Sequence, residues 1–157
     1  MVHFGCPPRN PIEHLEGTEL ATLADGDEVA ELLAAEIVVI GAPMYNFTIA
    51  SQLKAWIDRV VVAGKTFAYT ESGAAGLAIG KRMIVVISRG GIYSENSPYA
   101  SAEHAETYMQ ATFGFLGIAD IEFIVAEGIR VSPDHREAAL TAARIATEAL
   151  KLKTAAA

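Results

Sequence analysis

Three short apolar runs stand out in the alternation of hydrophobic and polar positions along the chain. They occupy residues 36–41, 82–88 and 121–126, and Val and Ile are frequent in each. Short runs with apolar residues at successive positions are typical of parallel strands that are covered on both faces. We therefore predict three strands at these positions.

Helical periodicity fills the intervals between the runs. Residues 25–35 have apolar positions at helical spacing and acidic residues at the start, which favours a helix. A second helix is predicted from an apolar stripe whose positions recur every three or four residues. The members of that stripe are Ile49, Leu53, Trp56, Ile57 and Val60.

Two Ser-Pro pairs predict where the remaining helices begin. Ser97-Pro98 has the composition of an N-cap followed by a first-turn proline, and Ser132-Pro133-Asp134 has the same form. The second of these helices is expected to end near Lys153. The first should direct one set of side chains inward, namely Ala105, Tyr108, Met109, Thr112 and Leu116.

Strands that alternate with helices indicate an α/β fold. The expected architecture is a parallel sheet built from right-handed βαβ units, with helices on both faces. A chain of 157 residues has the size of one domain with its own core. We expect a single domain over residues 1–157, with an irregular segment at 1–24 and a small hairpin or excursion loop within 64–80.

Composition narrows the possible functions. The net charge is −7 and no block of Lys or Arg occurs, which disfavours binding to nucleic acid. Cys6 is the only cysteine and the histidines lack metal-ligand spacing, so we expect no internal disulfide and no metal site. No apolar run approaches the roughly 20 residues of a membrane span, and the start lacks a secretory core. We therefore expect a cytoplasmic protein that binds no membrane.

The predicted strands end in two unusual segments. GAPMYNF at 41–47 follows the first run, and Ser-Arg-Gly-Gly at 88–91 follows the second. Because ligands bind outside the carboxyl ends of parallel strands, both segments should lie at one edge of the sheet. Aromatic surface, glycine backbone and one arginine would suit a planar, polar-edged heterocycle such as a flavin. A helix-entry turn and a simple glycine-rich turn explain the two segments about equally well.

Several blocks of the sequence, taken in order, resemble one enzyme family. The blocks are APMYNF, Ser51-Gln52-Leu53-Lys54, Gly64-Lys65-Thr66-Phe67, Tyr69-Thr70-Glu71, Ser88-Arg89-Gly90-Gly91-Ile92, Gly114-Phe115-Leu116-Gly117-Ile118 and Ala126-Glu127-Gly128. In these blocks the chain is similar to the FMN-dependent NADH:quinone oxidoreductases, also known as azoreductases. The resemblance implies a flavodoxin-like fold and a homodimer. It also implies two-electron transfer from NADH through FMN to a quinone or an azo compound.

The resemblance implies roles for individual residues. The residues that would wrap the isoalloxazine ring of FMN are Met44, Tyr45, Asn46 and Phe47. The residues that would support its pyrimidine side are Ser88, Arg89, Gly90 and Gly91. Tyr93 stands where relatives often have a histidine near the flavin, and Tyr69 and Phe115 match aromatic residues of the substrate pocket that opposite subunits could contribute. No catalytic side chain is expected, because flavin carries the redox chemistry and no nucleophile motif occurs.

The chain departs from the family pattern at its start. Relatives begin with an apolar strand and a Ser-rich loop that binds the FMN phosphate at a helix N-terminus, and residues 1–24 have no such pattern. We therefore expect an N-terminally incomplete flavodoxin-like sheet in which residues 36–41 form an edge strand. FMN affinity should then be weaker than in relatives, unless another chain supplies the missing part. The alternative function is a truncated, non-catalytic remnant or a dimerising interaction module, and an electron carrier is a weaker third.

Overall fold

The computed structural model describes the backbone of residues 27–155 and the side-chain surroundings of residues 28–150. The predicted irregular segment 1–24 and Cys6 lie outside these residues. The helices are α1 Asp27–Ala34, α2 Ser51–Val60, α3 Ala105–Phe115 and α4 Pro133–Ala155, and a short 3₁₀ turn covers Ala100–Ala102. The strands are β1 Ile37–Tyr45, β2 Thr48–Ile49, β3 Phe67–Thr70, β4 Gly73–Gly76, β5 Arg82–Ser88 and β6 Asp120–Ala126.

The main sheet has the strand order β2-β1-β5-β6. Strands β1, β5 and β6 are parallel, and β2 folds back antiparallel on the end of β1. Pro43 lies opposite Ser88, and Ser88 lies opposite Ala126, so the carboxyl ends of the three parallel strands meet at one edge. This register confirms the prediction that the segments after the first two apolar runs are neighbours.

One face of the sheet forms the main core with α2 and α3. Met83, Val85 and Ile87 alternate along β5 and are fully buried on this face. They belong to one cluster with Leu116, which directly follows α3, and with residues of the two helices: Ile57, Val60, Ala105, Met109 and Phe113. The helical stripes read from the sequence therefore face the sheet, and Phe113 completes the inward set of α3.

The opposite face is covered only in part. Helix α4 packs against β6, where Ile124 is buried. The other end of this face is open, because Ile37 is 44%, Val39 66% and Val86 38% exposed. Among the described residues, the edge of β1 that faces away from β5 is paired only at Met44 and Tyr45, where β2 lies against it. Within residues 27–155, Ile37–Pro43 therefore form an edge of the sheet.

Several boundaries differ from the prediction, and Ile49, expected on the stripe of the second helix, lies in β2 before that helix begins. Strand β1 runs to Tyr45, because Met44 and Tyr45 pair with β2, so part of the predicted ring-binding loop is extended backbone. The prediction that Ser97-Pro98 opens a helix is wrong, since α3 begins only at Ala105. Its N-terminus is capped by the Glu103 carboxylate, which accepts the N–H groups of Ala105 and Glu106 at 2.9 Å each. The predicted hairpin within 64–80 is confirmed as β3 and β4.

Candidate functional site

The turn between β1 and β2 carries the first half of the site. Asn46 and Phe47 are its two central residues, and both have left-handed backbone, with φ of 44° and 73°. Two successive positive φ values characterise the type I′ turn, which matches the twist of a two-residue hairpin. Phe47 is an uncommon residue there, because a side chain in this conformation costs about 1 kcal/mol. The turn leaves Tyr45 62% and Phe47 49% exposed, so two aromatic rings face outward at the sheet edge.

The segment after β5 carries the second half. Its carbonyl groups are engaged by the segment after β6: Arg89, Gly90 and Gly91 accept N–H groups of Ile129, Arg130 and Gly128 at 2.8–3.2 Å. Within the described part of the chain, the N–H groups of Gly90 and Gly91 have no acceptor. These amides are therefore available to a ligand with acceptor atoms.

The glycines of this segment also leave space that side chains of the protein itself occupy. A Cβ on Gly90 would lie 3.1 Å from the Arg130 stem, and a Cβ on Gly91 would lie 3.2 Å from the Tyr93 ring. Arg130 and Tyr93 therefore cover the sides where a Cβ would project. A ligand can reach the amides, whereas those two faces are already packed.

Arg89 is the clearest departure from the predicted roles. Its side chain is only 2% exposed, and its guanidinium pairs with the carboxylates of Glu106 and Glu127. Two acidic groups neutralise this arginine beneath the loop, and its support of the pyrimidine side of the flavin stays a prediction. Its side chain joins the end of β5 to α3.

Glu127 shapes the same loop from below. Its Oε2 atom accepts the N–H groups of Tyr93 at 2.9 Å and Ser94 at 3.1 Å. Burial alone would raise the pKa of Glu127, but hydrogen bonds from Ser94 and Tyr93 and the charge of Arg89 outweigh it and lower the pKa below 4.5. Glu127 was singled out from the sequence only within the block Ala126-Glu127-Gly128. Its anchoring role was therefore missed. The acidic residue directly after a predicted strand was the available signal.

The two halves of the site meet through aromatic rings. Phe47 and Tyr93 are in edge-to-face contact, with ring centroids 6.2 Å apart. The Phe47 carbonyl also accepts the N–H group of His104 at 3.0 Å, which ties the hairpin to the residues before α3. Tyr93, predicted from a position usually held by histidine, therefore lies between the loops.

A cavity of about 790 Å³ opens beside the β1–β2 hairpin. It contains two predicted residues, Tyr45 and Asn46, and several that the prediction did not assign to the site. The added lining residues are Thr48, Ile49, Ala50, Ser51, Gln52, Lys54 and Tyr108. Tyr108 was placed on the inward face of a helix, and its half-buried position lets it serve both the core and this cavity.

Tyr69 and Phe115 lie in a separate aromatic cluster. Phe67 contacts both of them, with ring centroids at 5.4 Å from Tyr69 and 4.7 Å from Phe115. Glu106, the partner of Arg89, is near the start of α3, whereas Phe115 is its last residue. A rise of 1.5 Å per residue places these two positions roughly 14 Å apart along the helix. The fold of one chain therefore does not bring Tyr69 and Phe115 to the strand-end loops.

The donor set at the strand ends is compatible with a flavin ring. Free amides at Gly90 and Gly91 match acceptor atoms on the edge of such a ring, and the exposed rings of Tyr45 and Phe47 match its apolar faces. Residues 27–155 include no group of three or more His, Cys, Asp or Glu side chains arranged to hold a metal ion. None of the helices in this part of the chain has the length and apolar character to cross a membrane.

Comparison with known proteins shows the class of protein to which the chain belongs. A family model described as a flavodoxin-like fold matches residues 9–150. "FMN-dependent NADH:quinone oxidoreductase 2" of Bradyrhizobium diazoefficiens is 54% identical over 157 residues, which cover 91% of this chain and 78% of that protein. The chain therefore has the flavodoxin-like fold and belongs to the family of FMN-dependent NADH:quinone oxidoreductases. The resemblance found in the sequence is confirmed.

Two further comparisons set the extent of the match. The FMN-dependent NADH:quinone oxidoreductase of Gluconacetobacter diazotrophicus is 50% identical over 152 residues, covering 97% of this chain and 75% of the relative. A crystal structure of an FMN-dependent NADH-azoreductase from Bacillus anthracis, in complex with FMN, superposes with a TM-score of 0.73. It is 34% identical, with 84% of this chain and 61% of that chain covered. The chain thus spans 61–78% of the length of these three proteins.

Proposed function

We propose that the protein transfers two electrons from NADH, through bound FMN, to a quinone or an azo compound. The names of its relatives support this activity. The structural observation that carries the proposal is the contact of Phe47 with Tyr93 at 6.2 Å, which joins two strand-end loops into one site. Fold alone would not support a function, because flavodoxin-like folds host several chemistries.

The residues of this chain bind and orient the cofactor. The rings of Tyr45 and Phe47 pack against the flavin, and the amides of Gly90 and Gly91 donate hydrogen bonds to its acceptor edge. Met44, Asn46 and Ser88 line the same strand ends. FMN, when bound, supplies the hydride and electron chemistry, so the protein needs no nucleophile of its own. Arg89, whose charge is neutralised by its ion pairs, keeps the loop in shape. The dipoles of the backbone amides then provide the positive potential beside the flavin.

The cavity beside the hairpin is the place we assign to the acceptor. Its volume of about 790 Å³ lies within the range of small-molecule sites. Tyr45 and Tyr108 provide planar surface for a quinone or an azo compound, while Thr48 and Gln52 provide polar contacts. Asn46 lies both in the strand-end turn and in the cavity wall, so it links the cofactor site with the acceptor site.

We also propose that the active form is a cytoplasmic homodimer. Tyr69 is 77% and Phe115 41% exposed, at a position remote from the strand-end loops of the same chain. If these aromatic residues line the substrate pocket, a second copy must bring them there. A single cysteine and the acidic balance fit a reducing cytoplasm.

Titration with FMN tests the proposal. Purified protein is mixed with FMN, and quenching of flavin fluorescence gives a dissociation constant. NADH oxidation is then followed with a soluble quinone in the presence of saturating FMN. We expect saturable quenching and quinone-dependent NADH loss. The proposal is contradicted if flavin fluorescence is not quenched when the protein is in about 100-fold molar excess over FMN, and if no NADH is lost.

An interaction module without turnover is the second candidate. Among residues 27–155, one edge of Ile37–Pro43 has no partner strand, which favours this candidate because unpaired strand edges readily accept another strand. This reading predicts association without quinone-dependent NADH oxidation. FMN binding together with quinone-dependent NADH oxidation would support the oxidoreductase over the interaction module.

A further inference from the structure

An exposed arginine that sequence reasoning did not assign to the site lies beside the loop at residues 88–91. The backbone N–H group of Arg130 donates to the Gly90 carbonyl at 3.0 Å, which holds the two residues side by side. The stem of Arg130 runs over Gly90, because its Cδ atom is 3.1 Å from the position that a Cβ on Gly90 would take. The guanidinium carbon is two bonds beyond Cδ and is therefore within about 6 Å of that position. Arg130 thus brings a positive charge next to an amide that is available to a ligand.

The charge of Arg130 is not neutralised in the way that the charge of Arg89 is. Arg89 is 2% exposed and pairs with Glu106 and Glu127, so little of its charge acts at the loop surface. Arg130 is exposed, and no carboxylate within residues 28–150 forms an ion pair with it. A guanidinium is always protonated and only weakly hydrated, so it is well suited to meet a negative group of a ligand.

A flavin bound at this loop gains negative charge during the reaction. The inference rests on the proposed function, in which NADH delivers a hydride to FMN. The hydride carries two electrons and one proton, so NADH leaves as NAD⁺ and the neutral ring becomes singly negative. A positive charge that is already in place beside the ring stabilises the reduced state more than the oxidised state.

We propose that Arg130 stabilises the reduced flavin and thereby raises its reduction potential in this protein. Its guanidinium reaches the ring edge from the side of Gly90 and adds to the dipoles of the Gly90 and Gly91 amides. This role differs from simple packing, in which only the stem of Arg130 would matter because it covers Gly90. The two roles are separable, because one depends on the charge and the other on the carbon chain.

Two substitutions at Arg130 make this separation. Arg130→Met removes the charge and keeps an unbranched stem over Gly90, whereas Arg130→Lys keeps both. Fluorescence quenching gives the dissociation constant of oxidised FMN, and spectroscopic titration against a reference dye gives the midpoint potential of bound FMN. Arg130→Met should weaken binding of reduced FMN about tenfold more than binding of oxidised FMN, which lowers the two-electron potential by about 30 mV. Arg130→Lys should retain most of the parental potential, and the effect should shrink at about 1 M salt because exposed charges are screened.

Arg144→Met is the matched control. Arg144 is also exposed and lies on α4, roughly 16 Å along the helix from Pro133, so this variant loses the same charge at a remote place and should keep the parental potential. An unchanged potential in Arg130→Met, or an equal shift in Arg144→Met, overturns this inference while FMN binding by the parent protein still supports the proposed function. Equal weakening of oxidised and reduced FMN by Arg130→Met also overturns it, because the arginine would then contact a group whose charge does not change. If the parent protein does not bind FMN, the proposed function fails together with this inference.

Discussion

The guanidinium of Arg89 and the carboxylate of Glu106 form an ion pair that links the end of β5 to the first turn of α3. Arg89 is 2% exposed, whereas the Glu106 side chain is 32% exposed, so one partner is fully desolvated and the other is not. Glu127 flanks the same guanidinium at 3.7 Å. One buried cation between two carboxylates therefore supports the loop that carries Gly90 and Gly91.

Removing this cation should destabilise the protein strongly. Arg89→Met leaves Glu106 and Glu127 facing each other without a positive charge, and breaking a buried pair in this way costs about 3 kcal/mol or more. Chemical denaturation measures the loss. Arg59→Met is the control, because the Arg59–Glu28 pair is solvent-exposed, with Arg59 at 56%, and should contribute less than about 1 kcal/mol. Equal losses in the two variants would contradict the structural role of Arg89.

Glu127 should make stability dependent on acid pH. Its pKa is lowered in the folded state, so it stabilises the fold fully above its ordinary value of 4.5, and this contribution is lost as pH falls through the folded pKa. Glu127→Gln should be less stable than the parent at pH 7, and the difference should shrink as the pH falls below about 4.5. Denaturation at a series of pH values measures this. Glu71→Gln makes the same chemical change at an exposed turn residue and serves as the control.

Phe47→Gly separates stability from ligand binding. Glycine at this position suits the type I′ turn and relieves a left-handed backbone at φ 73°, while the contact with Tyr93 is lost. We expect the free energy of unfolding to change by less than about 1 kcal/mol, and FMN affinity to fall about tenfold. Asn96→Gly makes the same change at another left-handed residue, φ 74°, and should leave FMN binding intact. Similar losses of affinity in both variants would show that the effect is not local to the ring site.

Gly76 is required where β4 passes close to the end of α3. A Cβ at this position would lie 2.2 Å from the backbone nitrogen of Gly117, so Gly76→Ala must displace backbone and should cost about 3 kcal/mol. Gly114→Ala is the matched control, because it lies in α3 with nothing within 4 Å of its Cβ position. It should stabilise the helix by about 0.5–1 kcal/mol. Thermal denaturation of the pair measures both effects, and a neutral Gly76→Ala would contradict the described packing.

Mixing two defective subunits tests the proposed dimer. If the loops of one chain and Tyr69 of the other form each site, a mixture of Phe47→Gly and Tyr69→Ala subunits contains dimers with one intact site. Refolding the variants together should then restore about a quarter of the parental rate of NADH oxidation, since half of the dimers are mixed and each has one good site. Tyr69→Ala should fold normally because Tyr69 is 77% exposed. No gain over the separate variants would place both residues in the same subunit's site or outside the site.

Local patterning was sufficient for most of the fold. Residues 82–88 and 121–126 were predicted as strands, and the observed β5 and β6 differ from them by one residue at most. The stripes of α2 and α3 face the core because helical periodicity reports burial directly. The α3 start was misplaced because Ser97-Pro98 and Glu103 both have capping chemistry, and only the path of the chain selects between them.

For the site, amino-acid types and their order along the chain indicated which loops form it, since strands of like direction place their carboxyl ends together. The role of each side chain depended on neighbours distant in sequence. Arg89 is a structural cation only because Glu106 and Glu127 surround it, 17 and 38 positions further along the chain. Tyr69 and Phe115 are remote from the loops only because α3 runs away from the strand ends. Such pairings are set by tertiary packing, since local sequence reports the chemistry of a group and not what lies against it.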